Sequence, residues 1–273
     1  MSIGDVSLSS ATRANLSALQ NTSKLLQSTQ KQLATGKKVN SSLDDASAYF
    51  ASQGFLNSAN DLSSLKDSMS TAIQTVQSAT DAIDSVETVI TQMQGLVNSA
   101  LQTTDATSLA GYAGQYNSLR TQLDGLVSDS TFNGTNLLNS TTTTLSVYFN
   151  STNTTSLAIS AVNVTSAGLS IATAANAWAA TADVKAAQSL LQTALSTLRT
   201  DAASFGNNNT ILNTRSDFTS NMVSTLQTAS DNLTLADTNE EGANMQTLQA
   251  QSQLGIVALS ISGTQASAIL KLF

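Results

Sequence analysis

Residues 62–100 read LSSLKDSMSTAIQTVQSATDAIDSVETVITQMQGLVNSA, and their spacing decides the fold. One seven-residue column holds Leu62, Met69, Val76, Ile83, Ile90 and Val97. The interleaved column holds Leu65, Ala72, Ala79, Val86, Met93 and Ala100. Every position is apolar at alternating 3-4 spacing, which is the seam of a coiled coil. At 1.5 Å per residue such a helix runs roughly 60 Å. Proline is absent from all 273 residues, where average usage would place about 14. Long helices follow, because Pro breaks them.

Outward from that seam the pattern recurs. Leu109, Tyr112, Tyr116, Leu119, Leu123 and Leu126 predict a second helix, with Asp105 or Thr107 as its cap. Val184, Leu191, Leu198, Phe205, Leu212, Thr219, Leu226 and Leu233 predict a third, continuous through Gly206. Its companion column is weakened by Asp201, Asn208 and Arg215. Three such helices bury their stripes on one another as a bundle. Between them, Leu145, Val147 and Phe149 alternate with polar residues, a strand signal. Leu157 with Ile159, and Val162 with Val164, predict further strands in a small β-rich excursion.

Each end carries one amphipathic helix. Leu19, Leu26 and Leu33 mark the first; Leu254, Ala258, Ile261, Ala268 and Leu272 mark the last. Polar connectors at 36–45 and 238–244 set them off. Two helices bury little surface, so this pair is expected to order by assembly. The boundaries are 1–43, 44–129, 130–179, 180–237 and 238–273. The fold class is mainly α: a long coiled-coil-like helical rod, a small β-rich insertion, and two terminal helices that pair on assembly.

Composition narrows the chemistry. No Cys and no His are present, and 18 acids against 11 bases give −7. The commonest metal ligands, imidazole bases and thiol nucleophiles are therefore missing, and a negative chain is a poor nucleic-acid binder. Neither a catalytic residue, a metal nor a cofactor is expected. Nothing reads as a membrane span, and the N-terminus lacks the pattern of a cleaved secretory signal. Adjacent Asp44 and Asp45 point about 100° apart on a helix, which favours helix capping over metal binding. The Asn-x-Ser/Thr triplets at Asn133, Asn139, Asn150, Asn153 and Asn163 are expected by chance in so Asn- and Thr-rich a chain.

Leu33, Gly36, Val39, Asn40, Ser41, Asp44, Asp45 and Ala46 follow the order of a signature near the N-terminus of bacterial flagellins. Phe132-Asn133-Gly134-Thr135-Asn136-Leu137-Leu138 resembles that family's turn after its second helix. The tail, with Gln253, Gly255, Leu259, Leu270, Leu272 and Phe273, resembles its terminal helix. The chain departs from the family pattern at Gln92, Gln94 and Gly95, at Thr210-Ile211, and at Ala266. The resemblance implies a structural, non-enzymatic subunit of the extracellular flagellar filament, a helical homopolymer used for swimming. It implies terminal helices forming an inner tube through Leu19, Leu26, Leu33, Leu254, Ala258, Ile261, Ala268 and Leu272. It also implies type III export without a cleaved signal, with hook-associated proteins, cap proteins and a secretion chaperone as partners. No nucleic acid and no membrane insertion are implied. The central segment would face solvent, with O-glycans at Thr142, Thr143, Ser151, Thr154, Ser160 and Thr165. The alternative within the superfamily is a hook–filament junction protein. An enzyme displayed on the filament is disfavoured, since no acid lies between Gly134 and Asp183.

Overall fold

The structure, a computed structural model, describes residues 10–270, without the side chains of Ala266, Ile269 and Leu270. Five helices dominate: α1 (Ser10–Thr35), α2 (Ala46–Leu101), α3 (Ala106–Asp129), α4 (Thr181–Thr234) and α5 (Thr238–Leu270). Two strands, β1 (Thr144–Tyr148) and β2 (Ser156–Ser160), form one antiparallel pair. The chain divides into two compact units, one of residues 1–58 with 225–273, the other of residues 59–224. Both divisions fall inside the long helices α2 and α4 rather than at connectors.

The 59–224 unit holds the hydrophobic core. Ten of the twelve seam positions on α2 are buried, from Met69 to Ala100; Leu62 and Leu65 are half-buried. Val184, Leu191, Leu198, Phe205 and Leu212 of α4 are buried in the same cluster. α4 stays helical through Gly206, as its leading column predicts. The companion column fares as its composition dictates. Asp201 is half-buried there, and loss of solvation pushes its carboxyl above the usual range.

Two details differ from the sequence reading. On α3 the buried set is Ala113, Tyr116, Leu123 and Val127, while Leu126 is exposed. The stripe takes an i+4 step after Leu123, and Val127 meets the insertion instead. Val162 and Val164 form no strand. They follow an isolated bridge pattern, Val162 N–H donating to the Leu137 carbonyl and Val164 N–H to that of Leu138, each at 2.8 Å. That places Leu137, Leu138 and Val164 in the core as plugs rather than as sheet residues. The β content is one hairpin.

The insertion is stitched to α3 by three polar residues at helical spacing. Asn117 accepts the Ala174 N–H at 2.9 Å, Arg120 donates to the Ile171 carbonyl at 2.9 Å, and the Asp124 carboxylate accepts Ser166 N–H and Oγ–H. The return to α4 passes Asn176, Ala177 and Trp178, all at positive φ. Three consecutive L residues in that region are unfavourable. Burial of the Trp178 ring edge-on to Tyr116, 5.0 Å between centroids, holds them. Gly168 is required where it stands: a Cβ there would collide with the Asn163 carbonyl and side chain.

The outer helix faces are coated with hydroxyls rather than charges. Ser and Thr side chains along α2 and α4 donate to the carbonyl four residues back, as at Thr71, Thr88, Thr197 and Thr214.

Candidate assembly surface

The terminal unit is built on a different principle. Among its described residues the buried set is Val39 with Thr12, Thr29, Ser52, Ser230 and Thr234. Ser52 and Ser230 share a buried hydroxyl–hydroxyl bond of 2.8 Å, joining the start of α2 to the end of α4. Only one apolar side chain in this unit is buried.

The signature segment 36–46 is a junction. α1 ends at Thr35, and Gly36 takes φ +68°, the left-handed conformation that terminates a helix without Cβ strain. The backbone then lies along the end of α4. Lys38 N–H donates to the Thr234 carbonyl at 2.8 Å, and Ala236 N–H donates to the Gly36 carbonyl at 3.0 Å. The adjacent aspartates hold separate posts. Asp45 Oδ1 accepts the Ala48 N–H at 3.0 Å, which caps α2. Asp44 Oδ2 accepts the N–H groups of Asn40 (2.9 Å) and Ser41 (3.0 Å), and Lys31 Nζ lies 3.6 Å away. Those bonds, the Asn40 amide foremost, hold the Asp44 carboxyl below the usual carboxylate range. Asn40 Nδ2 donates back to the Lys37 carbonyl at 3.0 Å. Capping is thus observed at one aspartate and loop closure at the other. Among the described residues no cluster of acids is arranged to hold a metal. Asn133 and Gly134, the second signature, form a two-residue turn at φ +49° and +77°, closed by Phe132 and Thr135.

The 238–244 stretch, expected as a connector, is helical. Asp237 Oδ1 accepts the N–H groups of Asn239 (2.9 Å) and Glu240 (3.3 Å), and Glu240 and Glu241 sit in the first turn. A cap and two acids at a helix N-terminus are what start α5 there.

α1 and α5 pack on each other, but unequally with respect to the predicted interface residues. Leu19, Leu26 and Leu33 are half-buried, as are Leu248, Gly255 and Leu259 of α5. Gly255 permits the approach: a Cβ there would lie 3.0 Å from Leu19 Cδ1. Leu254, Ala258, Ile261 and Ala268 are exposed. The structure therefore places the α1 leucines within the pair and the α5 residues outside it. Leu272 lies outside the described residues. Ile256 and Val257, which the heptad reading passed over, are exposed beside Leu254. Their signal was the apolar run Leu254-Gly255-Ile256-Val257-Ala258-Leu259, too broad for a single stripe. Of the hydroxyls proposed for glycans, Thr142, Ser151, Thr154 and Ser160 are exposed; Thr143 and Thr165 are half-buried, and Thr165 Oγ–H is committed to Asn163 at 2.7 Å.

Residues 6–143 match the family described as the bacterial flagellin N-terminal helical region. Over its full length the chain is 31% identical to the full length of Flagellin FljO of Caulobacter vibrioides. It is 26% identical to a flagellin of Brucella melitensis, across 94% of this chain and 95% of that one. A crystal structure of Bacillus cereus flagellin matches at TM-score 0.49 and 20% identity, over 56% of this chain and 88% of that chain. The chain belongs to the bacterial flagellin family, the structural subunits of the flagellar filament.

Proposed function

We propose that the filament is held at its centre by the outward face of α5. One observation carries this reading: Leu254 is 70% exposed and Ile261 53%, with Ile256 and Val257 beside them, on a helix whose opposite face already rests on α1. A contiguous apolar strip of that kind marks an interaction surface. Head-to-tail contacts that do not close make an open helical polymer. In this reading α1, through Leu19, Leu26 and Leu33, braces α5, while Leu254, Ala258, Ile261 and Ala268 meet terminal helices of neighbouring copies.

The subunit works by shape and not by catalysis. It leaves the cell through the flagellar type III apparatus with no cleaved signal, escorted by a secretion chaperone, and meets hook-associated and cap proteins at the filament ends. Thr142, Ser151, Thr154 and Ser160 are the exposed hydroxyls suited to O-glycans. The relatives named above are flagellins, and nothing in them favours a hook–filament junction role.

The test is Ile261→Asp in the full chain. The monomer should keep its helical circular dichroism, since that side chain touches solvent, yet form no sedimentable filament. Normal filaments from this variant would remove α5 from the interface.

A further inference from the structure

A second pair of complementary surfaces lies within the 59–224 unit. The first is a stripe on α4 turned away from the buried seam. Ile211, Phe218 and Met222 fall on one helix face and are exposed, Phe218 by 56%. Upstream on the same face stand Thr193, Thr197, Thr200 and Ser204, exposed residues whose hydroxyls donate to carbonyls of their own helix. Spent in that way, the threonine hydroxyls leave methyl groups outward. The one charge on the face, Arg215, is engaged over the Phe149 ring at 5.0 Å.

The second surface is an open groove of 740 Å³ between α2 and α3. Leu96 and Leu119 wall it, Gly111 and Gly114 form its floor, and Gln92 and Gln115 stand at the rim. No residue lining it is charged. The charged side chains of mid-α3, Arg120 and Asp124, are turned to the insertion.

We propose that the groove receives the α4 stripe of a second copy of this chain. The lengths agree: Ala110 to Gln122 spans roughly 18 Å of helix and Ile211 to Met222 roughly 16 Å. Both surfaces are uncharged or charge-masked, so neither desolvates an ion on contact. The floor glycines, where a Cβ would meet nothing within 4 Å, let a helix bearing Phe218 approach closely. Stripe and groove lie on different faces of one unit, so the contact is heterologous and propagates instead of closing into a dimer. It adds a second layer of subunit contact to the one at α5. The inference rests on the filament reading.

The absence of cysteine makes the test direct. In full-length chain carrying Gly114→Cys and Phe218→Cys, a short thiol cross-linker matched to helix packing distances of about 8–10 Å should give a ladder of covalent oligomers from filaments. It should give none from monomer, and none from a Gly114→Cys, Gln192→Cys control whose second site lies off the stripe. Phe218→Asp, with helical circular dichroism unchanged, should raise the critical concentration by about tenfold or more. Wild-type filaments with no ladder and an unaltered Phe218→Asp critical concentration overturn the inference and leave the filament reading standing. Covalent dimers from Phe218→Cys alone also overturn it, because the face would then be isologous. A wild-type chain that forms no filament removes both.

Discussion

Asp44 and Asp45 are neighbours with unlike duties, and the difference is electrostatic. Asp44 gathers two amides and a lysine, and its carboxyl is held below the ordinary 3.8. A depressed folded-state value adds stability that is present above pH 3.8 and lost as pH falls through the folded value. The connector should therefore loosen in acid before the helices do. Amide NMR signals of Asn40 and Ser41 are expected to titrate below pH 3.8 in the native chain and to stay flat in Asp44→Asn. Matching titrations in both would assign the transition to another group. Sequence inspection separates the two residues from a metal site by angle alone. It does not reveal that Asp44 reaches backward, because that bond depends on the left-handed Gly36 turning the chain beneath it.

Among the elements, α2 was readable and α3 only in part. The α2 seam needs no partner to be recognised: two apolar columns are filled without a gap, and one register satisfies them. On α3, Leu126 and Val127 are both apolar, and a step of three or four residues after Leu123 fits equally well. The insertion breaks the tie by packing Leu137 and Leu138 where Val127 points. Val127→Asp is accordingly expected to unfold the 59–224 unit, since it places an unpaired charge in the core. Leu126→Asp should leave the thermal midpoint nearly unchanged. Equal losses would mean that α3 sits one residue round from this register. Asn117, Arg120 and Asp124 belong to the same lesson. Their polar row is visible in the sequence, but what it binds is a set of backbone groups some fifty residues away, and backbone groups carry no sequence signal. For the assembly surface, periodicity finds the α1 leucines and the α5 apolar residues alike. Which of them face each other is decided by Gly255, whose missing Cβ turns α1 onto that side of α5.

At the scale of the molecule the two units differ in what holds them. The 59–224 unit has one continuous apolar core, whereas the terminal unit buries Val39 and a handful of hydroxyls among its described residues. A short helix pair without buried apolar side chains cannot offset about 1–2 kcal/mol per residue of backbone ordering entropy. Limited proteolysis of monomer should therefore cut within α1 and α5 first and leave a resistant fragment containing residues 59–224. The same protease on filaments should spare both helices. Cleavage beginning in α2 or α4 of the core unit would reverse this ranking.

The exposed strip on α5 has a calorimetric consequence. If Leu254, Ile256, Val257 and Ile261 leave water only when a subunit joins, then each addition removes apolar surface from solvent, and the heat capacity must fall. Enthalpies of elongation measured at several temperatures should slope downward, and the slope should flatten in Leu254→Ser. Growth would then weaken on cooling as the entropic gain from released water fades. A chain with so few charges would in this way read temperature far more strongly than salt.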